Sequence, residues 1–232
     1  MPMTSNKASQ LVDLIDSQAA AASNTMEVFL YQRDALIALL MWESCLRGVD
    51  CGKLRLQDFF LPSGSSAQLP LPEPLSAGSQ LVIRPNGSKT VKGRRAGAIS
   101  LVHTGSDVHC SLPRLMRYLG ARAAAGMPVG QFLFSASTRS HNGFVDAAFC
   151  SSSIGKRLHK HLVDASLVNG ESNHGYSRGR MQEYAAEGMD NVAIGKVAQI
   201  KSIAIVERYL DVSRHEVRQS QAGKRSSEAM NM

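Results

Sequence analysis

From Met26 to Leu46 the chain runs without a glycine or a proline. Val28, Leu36, Leu39 and Leu40 recur there at the spacing of one helical face. Gly48, just past Arg47, supplies a stop. Downstream the period changes. Leu54-Arg-Leu-Gln-Asp-Phe-Phe alternates apolar and polar residues and predicts a strand. Residues 62–80 carry Pro62, Pro70, Pro72 and Pro74 among serines and glycines. They read as an irregular insertion rather than a domain boundary, because strand signals resume beyond them. Leu81-Val-Ile-Arg and Gly97-Ala-Ile-Ser-Leu-Val predict two more strands. Between them lies Pro85-Asn-Gly-Ser-Lys-Thr-Val-Lys-Gly-Arg-Arg, a basic turn with hairpin chemistry.

The rest of the chain returns to helical spacing. Leu112 to Ala125 predicts a helix with Leu115, Met116 and Leu119 on its apolar face. Phe132-Leu-Phe reads as a short strand or turn. Ser151, Ser152 and Ser153 can cap a helix running to about Val168, with Ile154, Leu158, Leu162 and Leu167 inward. Within it, His159-Lys-His161 reads as a polar face. Arg178 to Glu187 predicts a further helix broken at Gly188, followed by Asn191–Val197 and Ile203–Leu210. The sum is an α+β fold, mainly α, with a small antiparallel sheet. Residues 1–25 read as a flexible N-terminal tail, 26–213 as one domain and 214–232 as a flexible polar tail.

At 232 residues and 44% hydrophobic content the chain can bury an ordinary core. Lysine and arginine outnumber aspartate and glutamate by 26 to 19, a net charge of +7. That balance favours a polyanionic partner, because each neutralised phosphate releases counterions. The four cysteines (Cys45, Cys51, Cys110, Cys150) form no CxxC pair, and no Cys/His cluster has zinc spacing. This usage suits a reducing, intracellular compartment, nuclear or cytoplasmic. The start, MPMTSNKASQ, lacks a signal-peptide apolar core. The longest apolar run, Ala35 to Trp42, is too short to cross a bilayer, so no membrane association is expected.

Five separated segments carry groups suited to phosphoryl chemistry. Cys45-Leu-Arg47-Gly-Val-Asp50-Cys-Gly-Lys-Leu-Arg-Leu-Gln-Asp58 places an arginine at a helix end, with an acid three residues on that can hold the guanidinium fork. A C-terminal cation favoured by the helix dipole is the plainer reading. Gly87-Ser-Lys89-Thr puts a lysine in the basic turn, with Lys92 as its competitor. His174-Gly-Tyr-Ser177-Arg178-Gly supplies an imidazole and an arginine. Ile200 and Lys201 follow in Ala198-Gln-Ile-Lys-Ser. Tyr209 sits in Ile203-Ala-Ile-Val-Glu-Arg-Tyr-Leu-Asp. Tyr31, Tyr118 and Tyr184 have no comparable context.

The order and contexts of these segments resemble the catalytic domain of tyrosine recombinases, the phage-integrase family, over residues 26–213. The resemblance implies an integrase-type catalytic domain that cleaves and rejoins DNA strands through a 3′-phosphotyrosyl intermediate. It carries Arg47, Lys89, His174, Arg178 and Tyr209 over as the catalytic set. Tyr209 is then the nucleophile, Lys89 the general acid, and the arginines and His174 the stabilisers of phosphate charge. The implied partner is double-stranded DNA, with assembly as a homo-oligomer, a tetramer on DNA. No metal and no small-molecule cofactor is implied. Two positions depart from the pattern. Ser177 falls on the family's second arginine, one residue ahead of Arg178, and Ile200 falls where a second His or Trp is common. The segment ahead of Met26 is short for the family's core-binding domain, so a fragment, a mobile-element relic and a partner-dependent chain are all expected alternatives. The competing readings are a catalytically inactive DNA-binding relic, a type IB topoisomerase and an unrelated basic helical domain.

Overall fold

The computed structural model describes residues 1–210 apart from 73, 89–90, 95–97, 128–129 and 139–142, with the backbone alone at 86–88, 91–94 and 137. The helix over the apolar run, α2 (Thr25–Glu43), is its axis. Asn24 caps it by accepting the Glu27 backbone N–H at 2.9 Å, and Glu27 adds a carboxylate at the positive end of the dipole. Every residue from Arg33 to Trp42 is buried, so the C-terminal half of α2 is enclosed on all sides rather than amphipathic.

One of its partners corrects an expectation. Residues 1–25 are not a flexible tail: α1 (Ser5–Ala20) is capped by Thr4 Oγ1 and packs along α2. Ala8, Leu11, Val12, Ile15 and Ala19 form its buried stripe. Their steps of three and four residues were present in the sequence but diluted by Ser, Gln and Asp. Ahead of α1, Met3 donates its N–H to Gly175 O at 2.9 Å. A Cβ at Gly179 would lie 1.9 Å from Met3 O, so only glycine lets this N-terminal segment cross there.

Beyond α2 comes the single turn α3 (Gly48–Cys51) and a three-stranded antiparallel sheet in the order β1 (Phe59–Phe60), β2 (Gln80–Ile83), β5 (Ile99–Val102). Phe59 pairs with Ile83, and Leu81 with Leu101. The predicted strand over Leu54–Phe60 is shorter than expected. The Asp58 carboxylate accepts the Arg55 N–H at 2.8 Å and closes a 3₁₀ turn over Leu56–Asp58. β3 (Asn86–Ser88) and β4 (Val91–Arg94) form the separate basic hairpin. Then come α4 (Ser111–Ala124), a hairpin of β6 (Ser135–Ser137) and β7 (Phe144–Ala148) that the Ser-rich sequence did not signal, α5 (Ser151–Asp164), α6 (Asn173–Ala186) and α7 (Asn191–Val197). The chain is helical again over 203–210. The expected polar tail, 214–232, lies outside the described residues. The predicted serine cap of α5 is absent: Cys150 holds that position with no side-chain cap bond.

A buried ionic cluster joins three helices. Asp34 accepts from Arg33 Nε at 3.2 Å and from Arg157 Nε at 2.7 Å, and its Oδ2 lies 3.0 Å from His161 Nε2. His161 Nδ1 lies 3.0 Å from Gln18 Oε1 in α1. His161 is therefore a core group, 2% exposed, and not part of a polar helix face. Burial alone would raise the Asp34 carboxyl. The Arg33 charge, helped by hydrogen bonds from His161 and Arg157, outweighs it and holds Asp34 at about 2, against an ordinary 3.8. Asp34→Asn should destabilise the fold by about 3–5 kcal/mol at pH 7, read from urea denaturation. The carboxylate's contribution is present at neutral pH and is lost as pH falls from about 4 towards 2. The gap between wild type and variant should therefore narrow by about 2 kcal/mol over that window.

Candidate active site

The helix α2 stops where the chain turns through Cys45, whose φ of 51° lies in the left-handed region. Arg47 then caps α3 in extended conformation, and its carbonyl accepts the Asp50 and Cys51 N–H groups, each at 2.9 Å. Arg47 is half-buried and Asp50 is buried. The two predicted partners are thus linked through the backbone of one tight turn.

Gly48 brings the starts of α5 and α6 against this turn. A Cβ there would meet Ser151 Oγ at 3.0 Å and Asn173 Nδ2 at 3.1 Å. Asn173 Nδ2 donates to Ser151 O at 2.7 Å, tying the two helix starts together. The helix α6 begins five residues earlier than the sequence suggested, so His174 falls in its first turn. His174 is exposed and lines a groove of about 500 Å³ with Lys156, His159, Glu171 and Asn173. Lys156 was not singled out from the sequence, and His159 was read only as part of a polar helix face; their place on α5 facing α6 is a tertiary fact. Ser177 is buried one turn on. Arg178 is half-buried, with Nε and Nη2 shielded from solvent.

Tyr209 approaches from the other end of α6. Gln182 Nε2 donates to the Tyr209 carbonyl at 3.2 Å. A second apolar cluster of Cys45, Met181, Ile194 and Val206 receives the half-buried Tyr209, with Ile200 and Tyr184 packed against it. Cys45 lies two residues before Arg47, so one cluster holds the arginine segment and the tyrosine segment together. Ile200, the second departure, is a packing residue of this cluster. Lys89, which follows Ser88 in the sequence, lies outside the described residues.

Arg180 is a cation the sequence reading passed over. It pairs with Glu183 at 2.8 Å and Glu187 at 3.5 Å, and its guanidinium lies 4.2 Å over the Tyr184 ring. The i+3, i+4 and i+7 spacing of these partners was visible in the chain. Nearby, Glu43 accepts the Ser111 N–H at 3.0 Å. Burial pushes its carboxyl up to about 7, despite the Ser111 hydrogen bonds and the Arg180 charge. Because the folded carboxyl holds its proton more tightly than the unfolded one, stability falls as pH rises from about 4.5 to 7. Glu43→Gln should therefore gain about 2 kcal/mol over wild type at pH 8, and nothing below pH 4, in thermal unfolding followed by circular dichroism.

Among the described residues no three His, Cys, Asp or Glu side chains gather as a metal site would require, and no helix is long and apolar enough to cross a membrane.

Comparison in three dimensions finds this architecture in solved tyrosine recombinases. The XerH site-specific recombinase, in its post-cleavage complex with a palindromic difH substrate, superposes with a TM-score of 0.64 at 14% identity. The match covers 96% of this chain and 52% of that one. XerA recombinase matches with a TM-score of 0.59 at 16% identity, over 95% and 63% of the two chains. The Tn1549 transposon integrase in complex with transposon right-end DNA gives 0.51 at 13% identity, over 95% and 66%. The chain therefore has the fold of the tyrosine recombinase catalytic domain and spans about half the length of XerH. No family model and no curated protein matches it.

Proposed function

We propose that the chain is a DNA strand-exchange module of the tyrosine recombinase kind, weakened by the loss of one arginine. The observation that carries this reading is the meeting of three segments far apart in sequence. Cys45 and Tyr209 share one apolar cluster, and Gly48 packs against Asn173, the neighbour of His174. In this reading the Tyr209 phenolic oxygen attacks a scissile phosphorus. The phosphorus–Tyr209 bond forms as the bond to the 5′ oxygen breaks. The phenolic proton passes to His174, and Lys89 protonates the departing 5′ oxygen. A 5′ hydroxyl of another strand then attacks the 3′-phosphotyrosyl link and Tyr209 leaves. Arg47 stabilises charge on the non-bridging oxygens, and Arg178, one residue past the family's second arginine, adds at most partial support. Double-stranded DNA is the substrate, in the nucleus or the cytoplasm, and synapsis requires a homo-oligomer.

Ser177 sets the expected rate. Removing one charge-stabilising donor costs about 2.7–4 kcal/mol, or 10²–10³ in rate. Ser177 also favours a second reading, a relic that binds DNA without cutting it. A covalent-trapping assay separates the two, using nicked oligonucleotide substrates at low salt and a denaturing gel. Wild type should give a faint DNA-shifted band, Tyr209→Phe none, and Ser177→Arg a band stronger by about 10²-fold in rate. Salt-sensitive DNA binding without a band in any of the three would establish the relic.

A further inference from the structure

A cavity of about 790 Å³ opens beside the first turn of α5, between the N-terminal half of α2, the end of α4 and the β6–β7 hairpin. Ser151 faces Gly48 in the candidate active site, whereas Ser153, two positions on and so on the opposed side of the helix, faces this cavity. Its walls are largely apolar, with Met26, Leu30, Met127, Phe144 and Phe149 among them. Into this apolar space come Arg33, Lys156 and Arg157, and no carboxylate is among the described lining residues. Behind the wall, Arg33 and Arg157 share the carboxylate of Asp34. Three cations against one anion leave the site formally positive.

Arg33 is the informative member. It is 1% exposed and its guanidinium lies 4.4 Å over the Phe149 ring. Nε is held by Asp34, while Nη1 is shielded from solvent and makes no hydrogen bond among the described residues. A buried charged donor left unmatched costs more than the ~1–3 kcal/mol of a neutral one, so the position calls for an acceptor. A guanidinium fork suits a carboxylate or a phosphate, and the adjoining N-terminus of α5 favours negative charge. The cavity volume falls in the ~300–1,000 Å³ range of small-molecule sites. A duplex backbone is too wide to reach a guanidinium at this depth; a small molecule is not.

We propose that this cavity binds a small ligand carrying a carboxylate or phosphate on an apolar body, with Arg33 as its innermost donor and Lys156 at its rim. The cavity shares only Lys156 with the groove that His174 lines, and its test reads no DNA chemistry.

Cys150 provides the reporter. It lines the cavity and is exposed, whereas Cys45, Cys51 and Cys110 are buried. Burial also pushes the Cys45 thiol up to about 12 and the Cys51 thiol higher still. Iodoacetamide alkylation of the full chain at pH 7, followed by mass spectrometry, therefore reads Cys150. Phenyl phosphate and 4-phenylbutyrate should slow alkylation about ten-fold when present at about ten times their Kd. Uncharged 4-phenylbutanol should not, and inorganic phosphate should protect only weakly. Arg33→Met should abolish protection. Lys156→Glu, at an exposed position that does not threaten the fold, should weaken it several-fold. The proposal is overturned if the alcohol or inorganic phosphate protects as well as phenyl phosphate, if no anion protects at millimolar concentration, or if Lys156→Glu protects like wild type. It is also overturned if Cys150 is already protected without ligand and the chain sediments as a dimer, since a second copy would then cover the site.

Discussion

The buried carboxylate of Asp34 is the interaction on which the rest of the arrangement depends. It lies in the middle of the axial helix and is reached by Arg33 from the same helix and by Arg157 and His161 from α5. His161 extends the network to Gln18 in α1. An isolated buried carboxylate would be prohibitive, and a buried pair is worth little beyond its own desolvation unless its geometry is fixed. What the cluster supplies here is position. Asp34 sets the height of α5 along α2, and that height places Ser151 where Gly48 and Asn173 can close on it. Two arginines of the same cluster, Arg33 and Arg157, line the cationic cavity. One ionic hub thus positions two concave surfaces.

Helix α6 carries the second half of the arrangement. Its first turn presents His174 to the groove, and its later turns supply Met181 to the apolar cluster that receives Tyr209. Its two glycines, Gly175 and Gly179, admit the backbone of the N-terminal segment on another face. A helix committed on so many sides has little freedom to rotate. Ser177, buried between these contacts, therefore cannot be exchanged with Arg178 by a simple turn of the helix without displacing Met3 or uncovering Met181.

The sequence made the regular elements legible where spacing alone decides them. The apolar run of α2, the register-forming strands Gln80–Ile83 and Ile99–Val102, and the helices after Ser111, Ser151 and Asn191 all follow from local period. Local period failed where a tertiary partner does the work. The stripe of α1 is thin because two of its five buried residues are alanine, and only docking on α2 makes it persuasive. The hairpin Ser135–Ala148 is Ser- and Ala-rich and lacks a strand signature. His161 looked like one member of a charged face because Asp34, 127 residues away, cannot be seen from its neighbours. At the candidate site, Arg47, His174 and Tyr209 could be named from the sequence only as residue types in context. Their packing could not be: the roles of Cys45, Gly48 and Asn173 as the contacts that assemble them appear only in three dimensions.

The departure at Ser177 is best weighed by magnitude. The residues that assemble the site (Cys45, Gly48, Asn173, Met181 and Val206) differ from the one that departs, so a serine at position 177 subtracts chemistry without dismantling the scaffold. Enzymes typically exceed the uncatalysed rate by about 10⁶–10¹⁷, and the loss of one donor removes about 10²–10³ of that. In the proposed reading, a scaffold that keeps a nucleophile, an imidazole and one arginine stays above background after such a loss. Within that proposal the arithmetic describes a slow strand-exchange module, and the covalent-trapping assay separates it from an inert one. The fold itself, shared with XerH at 14% identity, is indifferent to the choice, because it rests on the Asp34 hub and two apolar clusters rather than on the phosphate clamp.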